Sequence, residues 1–90
     1  MGLDLNFYKK DYKELSFNNL GDRPLFEDIR KKVTYGDEEY GRYIRLNKRQ
    51  INYVVKCLSK HNEYGEYNSL IGEIMSCKEK NEPVYINADW

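Results

Sequence analysis

The stretch that follows Leu46 constrains the fold most, because it carries both a helix start signal and a sharply divided face. Asn47 has the short acceptor side chain wanted at an N-cap, and Gln50 lies three residues on, the spacing of a reciprocal capping box in its Asn/Gln form. At 100° per residue, Ile51, Val54, Val55 and Leu58 fall within a sector of about 100°, while Arg49, Tyr53, Lys56 and Lys60 gather within about 60° on the opposite side. A helix over residues 48–60 therefore has one face that must be covered and one that prefers water.

Two stretches of two-residue period supply a sheet to cover it. Leu3, Leu5 and Phe7 alternate with Asp4, Asn6 and Tyr8, and Val84, Ile86, Ala88 and Trp90 alternate with Tyr85, Asn87 and Asp89, each reading as a strand with one apolar face. Tyr43 to Leu46 reads as a third strand, set off by the glycine-bracketed acidic stretch 34–41. Residues 9–22 show no clear period and read as a loop, pinned by Leu15 and Phe17. Asp22 can cap a helix that begins near Pro24 and carries Leu25, Phe26, Ile29 and Val33. Tyr67, Leu70, Ile71, Ile74 and Met75 repeat at helical spacing after the polar turn 61–65, so a second and third helix form an antiparallel hairpin, at a cost of about 1 kcal/mol for Gly72. The expected fold is α+β, a single domain over residues 1–90 in the order β-α-β-α-α-β. Its small three-stranded sheet, with Leu5, Ile44 and Ile86, packs on the hairpin through Ile51, Val55, Leu58, Ile71 and Ile74.

Size and composition narrow the function. At 90 residues the folded chain exposes roughly 5,500 Å² and has a modest core, which disfavours a large internal substrate pocket. Charged residues make up 33% of the chain, near the level at which chains fail to collapse, but nine Tyr, three Phe and one Trp supply the apolar bulk of a folded protein. Tyrosine aside, the longest apolar runs are pairs such as Val54-Val55, so no membrane span or signal peptide is expected and the location reads as cytoplasmic. Asn6 stands where an acylation signal wants Ser or Thr. Cys57 and Cys77 are too few for a disulfide framework and read as buried, reduced thiols.

Charge is balanced in total, 15 bases against 15 acids, but not in distribution. Residues 40–60 hold six bases and no acid, whereas residues 34–39 hold three acids and residues 61–90 six acids against two bases. Arg45, Arg49, Lys56 and Lys60, interleaved by Tyr53, make a basic-aromatic stripe of the kind that tracks a phosphate backbone, giving a nucleic-acid-binding alternative. A pI of about 6.6 is well below that of typical nucleic-acid modules, which favours an ordinary solvated face. Two turns pair carboxylates with tyrosines instead: Tyr35, Asp37, Glu38, Glu39 and Tyr40 in one, and Glu63, Tyr64 and Glu66 in the other. Tyrosine brings rigid amphipathic area at small entropic cost and is enriched in binding hot spots, so these loops are the expected protein-binding surface.

Chemistry finds less support. Cys57, His61 and Cys77 could converge, but a structural zinc site wants four ligands in closer pairs and no C-x-x-C is present, so neither a metal nor a cofactor is expected. His61 with Glu63 or Glu66 could form an acid/base pair, yet no nucleophile has an activating partner at fixed spacing, and Gly36 and Gly41 bracket acids that would repel a phosphate. No enzymatic activity is expected.

Met1-Gly2-Leu3-Asp4-Leu5-Asn6-Phe7-Tyr8 resembles the opening of small uncharacterised phage and prophage proteins that begin Met-Gly-Leu-Asp with a strand. The run Tyr40 to Ile51 is similar to their strand leading into a capped helix, and Val84 to Trp90 resembles their terminal strand. The resemblance covers about a third of the chain. It implies the work of a phage accessory protein in a bacterial host, including inhibition of defence systems such as CRISPR effectors, through an as yet unidentified protein partner.

Overall fold

The computed structural model describes residues 4–15, 20–33 and 43–89. Strand β1 (Asp4–Lys9) leads through a 3₁₀ turn (Lys10–Tyr12) to β2 (Lys13–Glu14), followed by helix α1 (Arg23–Arg30), strand β3 (Ile44–Arg45), helices α2 (Lys48–Lys60) and α3 (Asn68–Glu79), and strand β4 (Tyr85–Asp89). The strands form one antiparallel sheet in the order β2-β1-β4-β3. The class is α+β as expected, but the sheet has four strands rather than three. The additional one lies inside the stretch read as a loop. Two exposed residues, Lys13 and Glu14, pair with Lys9 and Tyr8 at a sheet edge, where there is no buried face to impose an apolar alternation. Leu20 also bonds back to Leu5 through both main-chain groups.

The alternation read from the sequence decides which face of the sheet is covered. Leu5, Phe7, Val84, Ile86 and Ala88 are buried and share one core with Leu25, Phe26 and Ile29 of α1, Ile51, Val54 and Leu58 of α2, and Leu70 and Ile74 of α3. All three helices therefore lie on the same side. The hairpin is a partial description of that layer, since α1 contributes three fully buried side chains of its own. Ile44, Val55 and Ile71 are half-buried against this core.

Local signals set the helix starts. Asp22 Oδ1 accepts from Leu25 N at 3.1 Å, with Pro24 in the first turn of α1. Asn47 Oδ1 accepts from Gln50 N at 2.8 Å while Gln50 Oε1 accepts from Asn47 N at 2.9 Å, closing the capping box of α2. Helix α3 starts at Asn68 with no side-chain cap. Its Gly72 is exposed, with nothing within 4 Å of where a Cβ would stand. Gly72→Ala is accordingly expected to stabilise the protein by about 0.5–1 kcal/mol, seen as a higher urea midpoint, and an unchanged or lower midpoint would contradict the open space at that position.

Candidate functional site

The turn between α2 and α3 displays Tyr64 with 89% of its surface exposed, the most exposed large hydrophobic residue among those described. A ring so placed is normally mobile, but its turn is braced from several sides. Asn62 Oδ1 accepts from Tyr67 N at 2.8 Å, and Asn62 Nδ2 donates to Asn68 Oδ1 at 2.6 Å. Glu66 Oε2 accepts from Tyr64 N at 2.8 Å, so this carboxylate shapes the turn rather than standing wholly free. Gly65 takes φ +74°, a left-handed conformation, and a Cβ there would come 3.0 Å from Asn68 Nδ2. Below, Tyr67 is buried and its hydroxyl donates to Asp22 Oδ2 at 2.7 Å, tying the turn to the start of α1. Burial first, and then this bond, holds the Tyr67 hydroxyl protonated well above the usual tyrosine range. Glu63 is exposed beside Tyr64. Tyr35, Asp37, Glu38, Glu39 and Tyr40 lie outside the described residues.

The basic side of α2 is less open than a helical wheel implies, because α1 covers part of it. Tyr53 is half-buried, and its hydroxyl donates to the main-chain oxygen of Asp28 at 2.7 Å. The Asp28 carboxylate is a local hub: Oδ2 accepts from His61 Nε2 at 2.6 Å and from Lys60 Nζ at 3.1 Å, and Oδ1 lies 3.2 Å from Lys31 Nζ. The acid that answers the basic stripe thus comes from another helix. Arg45, Arg49 and Lys56 are exposed and form no ion pair among the described residues.

The bond from His61, then those from Lys60 and Lys31, hold the Asp28 carboxyl far below its ordinary value. Since folding depresses this pKa, the contribution to stability is complete above the unfolded value near 4 and is lost as pH falls below it. The urea midpoint of the wild type should fall more steeply between about pH 4 and pH 2 than that of Asp28→Asn. Parallel curves for the two would show that the hub carries no linkage.

Cys57, His61 and Cys77 do not converge. Cys57 lines a cleft with Asp28, Lys31 and Tyr53 between α1 and α2, whereas Cys77 lines another with Lys9, Leu15 and Glu73. Both thiols are buried and free, and burial pushes both above the usual thiol range. Among the described residues no group of three or more His, Cys, Asp or Glu side chains is placed to hold a metal ion. Nor is any helix among them long and apolar enough to cross a membrane.

Sequence reasoning missed a third surface, on the sheet face turned away from the helices. Tyr8 is the cross-strand partner of both Tyr85 and Glu14, and Tyr85 that of Arg45, so Glu14, Tyr8, Tyr85 and Arg45 form one row across all four strands. Tyr43 meets Tyr8 edge-on at 4.8 Å between centroids, and Tyr12 lies 4.8 Å from Tyr43 and 4.9 Å from Tyr85. Tyr12 holds φ at +56°, a strained value for a bulky side chain, which the ring contacts sustain. The outward positions of the alternation, Tyr8 and Tyr85, were the available signal, but nothing in the sequence states that these two strands are neighbours.

An α+β domain with a four-stranded antiparallel sheet, all described helices on one of its faces, and a braced aromatic turn in that helical layer is the class these elements define. Comparison with protein-family models, curated proteins and solved structures gives no match.

Proposed function

We propose that this protein acts by binding another protein rather than by turning over a substrate, and that the α2–α3 turn carries the contact. The observation behind this reading is Tyr64, an almost fully exposed ring on a turn already fixed by side-chain and main-chain bonds. A ring carried on a preorganised turn spares binding the cost of ordering the main chain, and tyrosine is the kind of residue that anchors interfaces. Glu63 beside it offers a charge for Arg or Lys on the partner, which chiefly quickens association. In this reading the Tyr35, Asp37, Glu38, Glu39 and Tyr40 segment supplies a second contact. Two buried thiols held protonated give no activated nucleophile, which supports binding over catalysis. The resemblance to phage proteins extends the reading to an accessory protein whose partner is a bacterial defence component. Affinity capture from a bacterial lysate tests it: a protein enriched by the wild type and lost with Tyr64→Ala supports the turn, and capture undiminished by that change moves the binding surface elsewhere.

A second reading, nucleic acid along α2, has one observation in its favour: Arg45, Arg49 and Lys56 are exposed and unpaired among the described residues. Tyr53 and Lys60, both engaged with Asp28, would contribute less than the helical wheel implies. Gel-shift titration with random oligonucleotides decides it. Binding that weakens with salt at a log-log slope of about −0.7 per contact on single strands, and that Arg49→Ala reduces, supports this reading; no binding at about 100 μM removes it.

A further inference from the structure

We infer that the groove between α1 and α2 takes up the phosphate backbone of a single-stranded nucleic acid, with Tyr53 as the ring on which a base stacks. Helix α1 runs back along α2: its Asp28 meets Lys60 and His61 at the end of α2, and Lys32, just past the end of α1, shares a cleft with Asn47 and Arg49 at the start of α2. Two clefts lie along this line, an open one of about 420 Å³ bordered by Lys32, Arg49 and Tyr53, and a smaller one of about 150 Å³ bordered by Lys31, Lys56 and Lys60. Tyr53 borders both, its hydroxyl anchored on the main-chain oxygen of Asp28 so that the ring bridges the two helices. From Arg49 to Lys60 the bases extend along about 16 Å of helix, the reach of a few nucleotides.

The charge of this groove exists only once the helices pack. Residues 1–33 hold seven bases against six acids, so Lys31 and Lys32 do not stand out in the chain, yet the two clefts together are lined by five bases and a single acid, Asp28. Helix α2 carries no acid, and Glu27, the other acid within α1, lies 3.9 Å from Arg30. Lys32, Arg49 and Lys56 are exposed and have no ion-pair partner among the described residues. Lys31 and Lys60 share the Asp28 carboxylate, which thereby takes the lysines that a phosphate would use and limits the affinity. Packed helices lie about 8–10 Å apart, so the furrow between them admits one extended chain and not a duplex. A positive groove with an aromatic ring in its wall is the arrangement that holds single strands, whereas an acidic peptide offers the ring no flat base to stack on. This inference rests on the nucleic-acid reading of α2 and moves its centre into the groove, away from Arg45, which lines a different cleft with Lys48 and Lys78.

Fluorescence anisotropy of the full chain with a labelled oligothymidylate of about twelve nucleotides tests it. The wild type should bind with a log-log salt slope of roughly −2, from three unpaired bases at about −0.7 each. Lys32→Gln and Lys56→Gln, exposed positions contributed from opposite walls of the groove, should each weaken binding severalfold and make the slope shallower by about 0.7, with Arg45→Gln close to the wild type. Asp28→Asn, verified as folded by circular dichroism, should bind severalfold more tightly, because it returns two lysines to the groove. Tyr53→Phe should keep the affinity and Tyr53→Leu lose about fivefold or more, the worth of one stacked base. No binding at about 100 μM removes the nucleic-acid reading and this inference with it. Binding that Arg45→Gln weakens and Lys32→Gln leaves untouched keeps that reading on the outer face of α2 and overturns the groove. An Asp28→Asn affinity no higher than the wild type's, tighter binding of a duplex of the same length, or displacement of the oligonucleotide by polyglutamate of equal charge at equal concentration also overturns it, the last in favour of an acidic protein.

Discussion

Ile74→Ala is expected to lower the unfolding free energy by about 2–5 kcal/mol, the range for removing a large aliphatic side chain from a filled core. Ile74 is fully buried on α3, in the cluster that joins the helical layer to Phe7 and Ile86 of the sheet, so the cavity left behind cannot drain to the surface. Against the roughly 5–15 kcal/mol that holds a domain of this size together, such a loss is a large share. Ile51, 5% exposed at the start of α2, should lie toward the lower end of the same range on truncation. Chemical denaturation measures both. Values within about 0.5 kcal/mol of the wild type would mean that the three helices do not share one core with the sheet.

Tyr64→Ala should have the opposite signature, with little change in stability and a large change in binding. The ring is exposed, so its removal costs the fold almost nothing, and Gly65, Asn62 and Glu66 continue to shape the turn. Removing a central aromatic anchor from an interface typically costs 2 kcal/mol or more, about a thirtyfold loss of affinity. Isothermal titration of the captured partner against wild type and variant reads this directly. A loss under threefold would reduce Tyr64 to a rim contact.

What the sequence reveals about this protein follows the distance over which each signal acts. The capping box of Asn47 and Gln50 and the Asp22 cap are complete within four residues, and both helices start where those residues place them. The strands β1 and β4 are equally plain, because one buried face imposes the alternation of Leu5 and Phe7 and of Val84, Ile86 and Ala88. The edge strand β2 has no such face, and its two residues are recognisable only once Tyr8 is opposite Glu14. Tyr53 reads as solvent-facing on α2 alone, and becomes half-buried only because α1 delivers Asp28 to it. The exposure of Tyr64 could be read from a polar, glycine-containing turn. The tyrosine row could not, since Tyr8, Tyr12, Tyr43 and Tyr85 are brought together by sheet order rather than by proximity in the chain.

The most direct test of the proposed binding surface is amide hydrogen exchange on the protein alone and saturated with the partner found by affinity capture. Protection should rise over residues 62–67, around Tyr64, with the exposed side of α2 about Arg49 and Lys56 unchanged. Protection confined to residues 45–60, with the turn exchanging as freely as before, would contradict the account and assign the contact to the basic face of the helix.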